Sequence, residues 1–169
     1  MSRRVAILGL GARGARWADA FHQSGWLVTG FDPEPAAGRK LAGYPDMRRE
    51  QTISATVQGA DWVFCCLPER LELMQMVLQR AQAEAPREAF VAVASREHDV
   101  EAVQTCALRP AHVVRIAETD DGSLALDVTE RNVSGLKAEA QQVLAELAAV
   151  LSLQSVGLDD DYDLGAESA

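Results

Sequence analysis

Val5-Ala6-Ile7-Leu8-Gly9-Leu10-Gly11-Ala12-Arg13-Gly14 decides how the rest of the chain reads. Four aliphatic residues, the pattern of a short buried strand, run directly into G-x-G-x-x-G. Each glycine answers a separate steric demand. Gly9 permits a tight turn out of the strand, where a Cβ would clash. Gly11 lets the backbone approach a pyrophosphate, and Gly14 lets the following helix pack closely on the strand. A helix starting here aims its unpaired N–H groups and partial positive charge at the same point. Glycines also cluster in turns that bind nothing, so the motif counts only in context.

The context is present. Ala15 to Gln23 carries apolar residues at Trp17, Ala18, Ala20 and Phe21, the spacing of one helical face. Gly25 stops that helix, Leu27 to Phe31 forms a second strand, and Asp32 stands at its end. Asp32 follows Gly11 by 21 positions, close to the roughly 20 expected of an acid that reads a ribose 2′-hydroxyl. The same carboxylate would repel a 2′-phosphate, which favours NAD over NADP. Arg39 and Lys40 follow, and a loop could bring one of them round.

Farther on, the spacing predicts a short helix over Ala36–Leu41 and a loop at Gly43-Tyr44-Pro45-Asp46. A brief third strand is expected within Met47–Ile53, and a short helix over Ser54–Gly59 capped by Ser54. Trp62-Val63-Phe64-Cys65-Cys66-Leu67 is apolar on both faces, as a central parallel strand should be. A helix over Leu71–Ala83 follows, its Met and Leu content read as core packing. Phe90–Ala94 is the next strand, ending at Ser95, with a helix through Val100, Val103 and Cys106. Val113–Ile116 and Leu124–Thr129 read as strands, Leu136–Leu151 as the longest helix, and Ser155-Val156-Gly157 as a small edge strand. Alternation of strands and helices predicts an α/β, doubly wound, mostly parallel sheet: a single Rossmann-type domain over residues 1–158. Residues 159–169, with the run Asp159-Asp160-Asp161-Tyr162-Asp163, are expected to form an unstructured acidic tail.

Composition narrows the partners. Hydrophobic residues make up 48% and charged residues 24% of the 169, the balance of a soluble globular domain. A net charge of −9 argues against nucleic acid as a partner. The sequence has neither a membrane-length apolar run nor room for a signal peptide before the first strand, so a cytoplasmic location is expected. Three cysteines, Cys65, Cys66 and Cys106, make no disulfide framework. Cys65 and Cys66 point to opposite faces of one strand, so no metal site is expected and both read as buried apolar groups.

With these residues in view, the sequence resembles the N-terminal NAD-binding domain of the 3-hydroxyacyl-CoA dehydrogenases. Val5–Gly14 looks like that family's opening, and Phe31-Asp32-Pro33-Glu34-Pro35 like its strand-end acid segment. Ala60-Asp61-Trp62-Val63-Phe64-Cys65-Cys66-Leu67-Pro68-Glu69 is similar to its A-D-x-V-x-x-x-x-P-E block. The resemblance implies a cofactor site at Gly9, Leu10, Gly11, Ala12, Arg13, Gly14, Asp32, Pro33, Leu67, Pro68 and Glu69, with NAD as cofactor. It also implies an oxidoreductase acting on an acyl-CoA or another hydroxy or keto acid.

The departures fall on the chemistry. The family's histidine motif is replaced by Arg115-Ile116-Ala117-Glu118-Thr119, so no residue inherits the catalytic role; the candidates are Ser95, His98 and His112. Arg70 stands where the family has asparagine. The family's helical C-terminal domain is not in the sequence, so a second copy or a partner subunit is expected to complete the cleft. Two alternatives stay open: a non-catalytic NAD(H)-binding sensor or subunit, and a retained fold with another anion held by Arg13 and Arg70.

Overall fold

A computed structural model describes the backbone of residues 3–39, 46–120 and 122–165, with side chains as far as 152. Seven strands form one sheet in the order β3-β2-β1-β4-β5-β6-β7. They are β1 (Arg4–Leu8), β2 (Leu27–Phe31), β3 (Arg48–Arg49), β4 (Trp62–Cys65), β5 (Phe90–Ala94), β6 (Val113–Glu118) and β7 (Leu124–Asp127). The first six run parallel, and β7 returns antiparallel to β6. This is the doubly wound order whose strand sequence reverses between β1 and β4, where ligands of such sheets bind. Fold class and sequence reading agree.

Among the described residues, five α-helices cover the sheet: α1 (Ala12–Gln23), α2 (Ile53–Val57), α3 (Leu71–Glu84), α4 (Val100–Gln104) and α5 (Leu136–Gly165). The period-2 alternation of each strand sorts the core into two layers. Val5, Ile7, Phe64 and Ile116 face α1 and α5, while Ala6, Leu8, Val63 and Val93 face α2 and α3. Cys66 belongs to the first layer and Cys65 to the second, as their adjacency on a strand requires. Phe64 meets Trp17 and Phe21 edge-on, with centroids 6.0 and 4.9 Å apart. Burying an aromatic of this size contributes about 2–3 kcal/mol. This contact sets α1 against the switch point. Two tryptophans tie α5 down: Trp62 Nε1 donates to Glu139 (3.2 Å) and Trp26 Nε1 to Glu146 (3.3 Å).

Several local expectations are corrected. Residues 35–38 form a turn where a helix over Ala36–Leu41 was expected: the Ala37 N–H closes onto the Glu34 carbonyl (3.1 Å), and the Arg49 guanidinium bonds the Glu34 and Pro35 carbonyls. Residues 40–45, including most of the expected loop at Gly43–Asp46, lie outside the described residues. The third strand shrinks to Arg48–Arg49. Thr52, not Ser54, caps α2 by accepting from the Ala55 N–H (3.0 Å), and Ser54 instead donates to Glu84. Cys106 falls beyond the end of α4 and is exposed. The expected edge strand at Ser155-Val156-Gly157 is helix, because α5 continues to Gly165. No proline interrupts that stretch, and a single interior glycine costs only ~1 kcal/mol. The helix thereby takes in residues 159–165 of the segment read as an unstructured tail; residues 166–169 lie outside the described residues.

Candidate functional site

Leu8 ends β1 and Gly9 turns the chain at φ +100°, its N–H donating to the Phe31 carbonyl at 2.8 Å. A Cβ on Gly9 would sit 2.2 Å from the Cys66 carbonyl oxygen. Gly11 is the N-cap of α1 and has nothing within 4 Å of where its Cβ would be. Neither a side-chain cap nor an acidic residue neutralises the first turn of α1. Its N–H groups therefore present their partial charge to the space beside Gly11, the arrangement that holds a phosphate. The Arg13 guanidinium lies over the same turn. It donates to the Leu67 carbonyl (3.3 Å), while its buried Nε finds no acceptor among the described residues.

Asp32 is fixed from two sides. Its Oδ2 accepts from the Leu10 N–H and its Oδ1 from the Glu34 N–H, both at 2.8 Å. Arg49 then staples the turn that carries it. Its guanidinium donates to the carbonyls of Asp32 (3.0 Å), Glu34 (2.6 Å) and Pro35 (2.8 Å). A basic side chain beside a strand-end acid of this kind would ordinarily suggest a reader of a 2′-phosphate. Here that arginine is spent on backbone and supports the acid that disfavours one. Arg49→Ala is expected to weaken NADH binding about fivefold, the worth of ~1 kcal/mol of lost hydrogen bonding, and to narrow the preference over NADPH. Parallel titrations of the two cofactors measure both effects.

These groups line a cleft of about 620 Å³ between the ends of β1, β2 and β4. Of the residues expected at the cofactor, Gly9, Gly11, Ala12, Arg13, Gly14, Asp32, Pro33, Leu67 and Pro68 line it. Leu10 does not; it is buried beneath the loop and contributes through its N–H. Glu69 does not either. A second wall, unread in the sequence, comes from Ile53, Leu73, Met76 and Val77. Met76 is 62% exposed, so on this face α3 offers apolar surface to the cleft and not to the core. Helical spacing alone cannot separate those two uses.

The candidates for chemistry divide by position. Ser95, 1% exposed, donates from Oγ to Glu69 Oε2 (2.7 Å) and accepts from the His98 N–H (3.0 Å). Burial raises the Glu69 pKa, but N–H groups of Arg96 and Glu97, the Ser95 hydroxyl and the Arg13 charge outweigh it and hold the carboxyl below its ordinary value. Arg115 braces the same corner, donating to the carbonyls of Ser95 (3.2 Å) and His98 (3.1 Å). Donor atoms of Glu69, Glu97 and His98 lie within 4.8 Å of one another. His112 lies elsewhere. It precedes β6 and meets the ring of Phe90, the first residue of β5, at a tilt with centroids 5.4 Å apart, which puts it at the opposite end of the strands from the cleft.

Arg16, on the next turn of α1, makes an ion pair with Glu118 at the end of β6. The Cys66 thiol between these elements is pushed up to about 12, first by burial and then by opposing effects of Arg13 and Glu118. Cys65 is raised further, chiefly by burial. Neither supplies thiolate near neutral pH. A thiol reagent is expected to modify Cys106 alone in the folded protein, and all three cysteines after denaturation.

The open Gly11, the uncapped helix start and the doubly held Asp32 fit a dinucleotide. Comparison with known proteins agrees. Residues 4–117 match the family model of the NAD-binding domain of 6-phosphogluconate dehydrogenase. The chain is 31% identical over 129 residues to the L-carnitine dehydrogenase/betainyl-CoA thioesterase of Ruegeria pomeroyi, covering 65% of this chain and 26% of that one. It is 29% identical over 131 residues to the L-carnitine dehydrogenase of Streptomyces coelicolor, covering 66% and 41%. The chain thus spans less than half the length of these relatives. The solved structure of (S)-3-hydroxybutyryl-CoA dehydrogenase from Ralstonia eutropha superposes with a TM-score of 0.78 at 14% identity, over 88% of this chain and 62% of that one. With the sheet order in place and residues 4–117 matched, the chain belongs to the family of the NAD-binding domain of 6-phosphogluconate dehydrogenase.

Proposed function

We propose that this chain is the NAD(H)-holding part of an oxidoreductase whose substrate is a hydroxy or keto acid, either an acyl-CoA or a smaller acid. The observation that carries it is the pairing of Gly11, open to the cleft, with an Asp32 carboxylate anchored at both oxygens. In this reading the loop Gly9–Gly14 lies against the pyrophosphate, Asp32 takes the adenosine ribose, and Ile53, Leu73, Met76 and Val77 pack on the adenine. When bound, NAD would supply hydride chemistry at its nicotinamide, with Gly9–Gly14 and Asp32 holding the other end. The chain's own contribution beyond the cofactor is the Ser95–Glu69 pair, whose hydroxyl would turn from Glu69 to meet a substrate oxygen. His98 is the histidine nearest that pair, through its backbone N–H. A second copy or a partner subunit completes the cleft, in the cytoplasm; no described helix is long and apolar enough to cross a membrane. Incubation of the purified chain with NADH and a 3-ketoacyl-CoA tests the reading, and loss of reduced cofactor above the buffer rate is the expected result.

A second reading has its own observation. The Ser95 hydroxyl is already committed to Glu69 and the His98 N–H, and His112 stands at the far end of the strands. That arrangement suits an NAD(H) sensor or a non-catalytic subunit. Saturable NADH binding without turnover, with or without added substrate, would favour it over the enzyme.

A further inference from the structure

A doubly wound domain binds a dinucleotide with two halves, one for each mononucleotide. The cleft draws its walls from the ends of β1 and β2, from α2, and from the β4–α3 connection and α3 itself. Among the described residues, none from the carboxyl ends of β5 or β6 lines it.

At that second half of the edge the side chains bond one another. Ser95 and Glu69 satisfy each other, and Arg115 ties the loop after β5 to the β6–β7 pair by bonding Ser95, His98 and Asp127. Arg16 and Glu118 close the span from α1 to the last residue of β6. The sheet order puts the ends of β4 and β5 between those two elements. Both partners are partly buried, at 35% and 21% side-chain exposure. Separating them costs more than parting two freely solvated charges, because each would face a less polar surrounding.

We propose that the cleft recognises the ADP half of the dinucleotide, and that the Arg16–Glu118 ion pair bars the nicotinamide half. The ligand class of the closed form is an adenosine 5′-diphosphate ester of ribose, of which NAD is one member and free ADP-ribose another. The inference rests on the NAD(H) reading of the Gly9–Gly14 loop and refines it: the nicotinamide end adds little affinity until the pair opens.

Calorimetric titration of the purified chain with ADP-ribose, NAD⁺ and nicotinamide mononucleotide tests this. ADP-ribose and NAD⁺ are expected to bind within about threefold of each other, and the mononucleotide not to saturate. In Glu118→Gln and in Arg16→Met, NAD⁺ is expected to tighten about fivefold relative to ADP-ribose, the reach of a partly exposed ion pair. Two variants are used because either alone leaves one charge unpaired; circular dichroism confirms that each is folded. NAD⁺ binding tenfold or more tighter than ADP-ribose in the unaltered chain would overturn the closed half, on the order of ~1.4 kcal/mol of nicotinamide contact. So would an unchanged ratio in both folded variants. Failure of every adenine ligand to bind would instead remove the cofactor reading itself, and the proposal with it.

Discussion

Gly14→Ala is expected to destabilise the domain by roughly 3–5 kcal/mol, the range of severe overpacking. Thermal unfolding should then fall by roughly 10 °C or more for a chain of this size. The reason is local. A Cβ at Gly14 would stand 1.8 Å from the Gly9 carbonyl oxygen and 2.8 Å from its carbon. Both are backbone atoms, and Gly9 cannot retreat because its N–H is bonded to Phe31 and its own α-carbon closes on Cys66. Relief requires α1 to lift off β1, which would loosen Trp17 and Phe21 from Phe64. Melting followed by far-ultraviolet circular dichroism measures the effect. A Gly14→Ala protein that melts with the unaltered chain would mean that the turn–helix contact is not as close as described.

Gly11→Val should behave in the opposite way. Its Cβ meets nothing, and its backbone (φ −64°, ψ −171°) suits any residue. Folding is expected to change by less than ~1 kcal/mol, the ordinary penalty for a poor N-cap. Binding is another matter. The added isopropyl group fills the space in which the pyrophosphate must approach the first turn of α1. NADH affinity is expected to drop by at least about a hundredfold, or ~2.7 kcal/mol. Titration of the folded variant gives the answer, and normal binding would move the ligand away from this loop. The two glycines, three residues apart in one motif, thus separate stability from binding.

Much of the candidate site can be read in the chain because its parts are local. Gly9 to Gly14, the apolar face of α1 and Asp32 follow one another within a single β-α-β unit, and each residue type is dictated by a contact inside that unit. Pro68 and β4 (Trp62–Cys65) are readable for the same reason. What escapes is what depends on distant partners. Arg49 meets the turn after β2 because β3 lies beside it, and Arg16 meets Glu118 from 102 positions away. No periodicity signals either. The choice of Thr52 over Ser54 as cap is similarly tertiary: both carry hydroxyls, and Glu84 takes the second. Met76 shows the ambiguity from the other side, since an apolar residue at helical spacing can face a core or a cleft.

Trp17, one of three buried tryptophans, is the one beside the Gly9–Gly14 loop and contributes an optical signal from there. It is fully buried on the helix that starts at the phosphate loop, and its Nε1 has no acceptor among the described residues. Its indole therefore emits from an apolar surrounding, at the blue end of the tryptophan range. The Arg13 guanidinium lies 5.9 Å from the ring centroid. A ligand that draws that cation toward its phosphates alters the field on the excited indole even when the ligand absorbs no light. Reduced cofactor adds energy transfer from tryptophan to the dihydronicotinamide, which falls steeply with separation. ADP-ribose and NADH would then leave different spectral signatures at the same loop, and the difference registers where the nicotinamide lies.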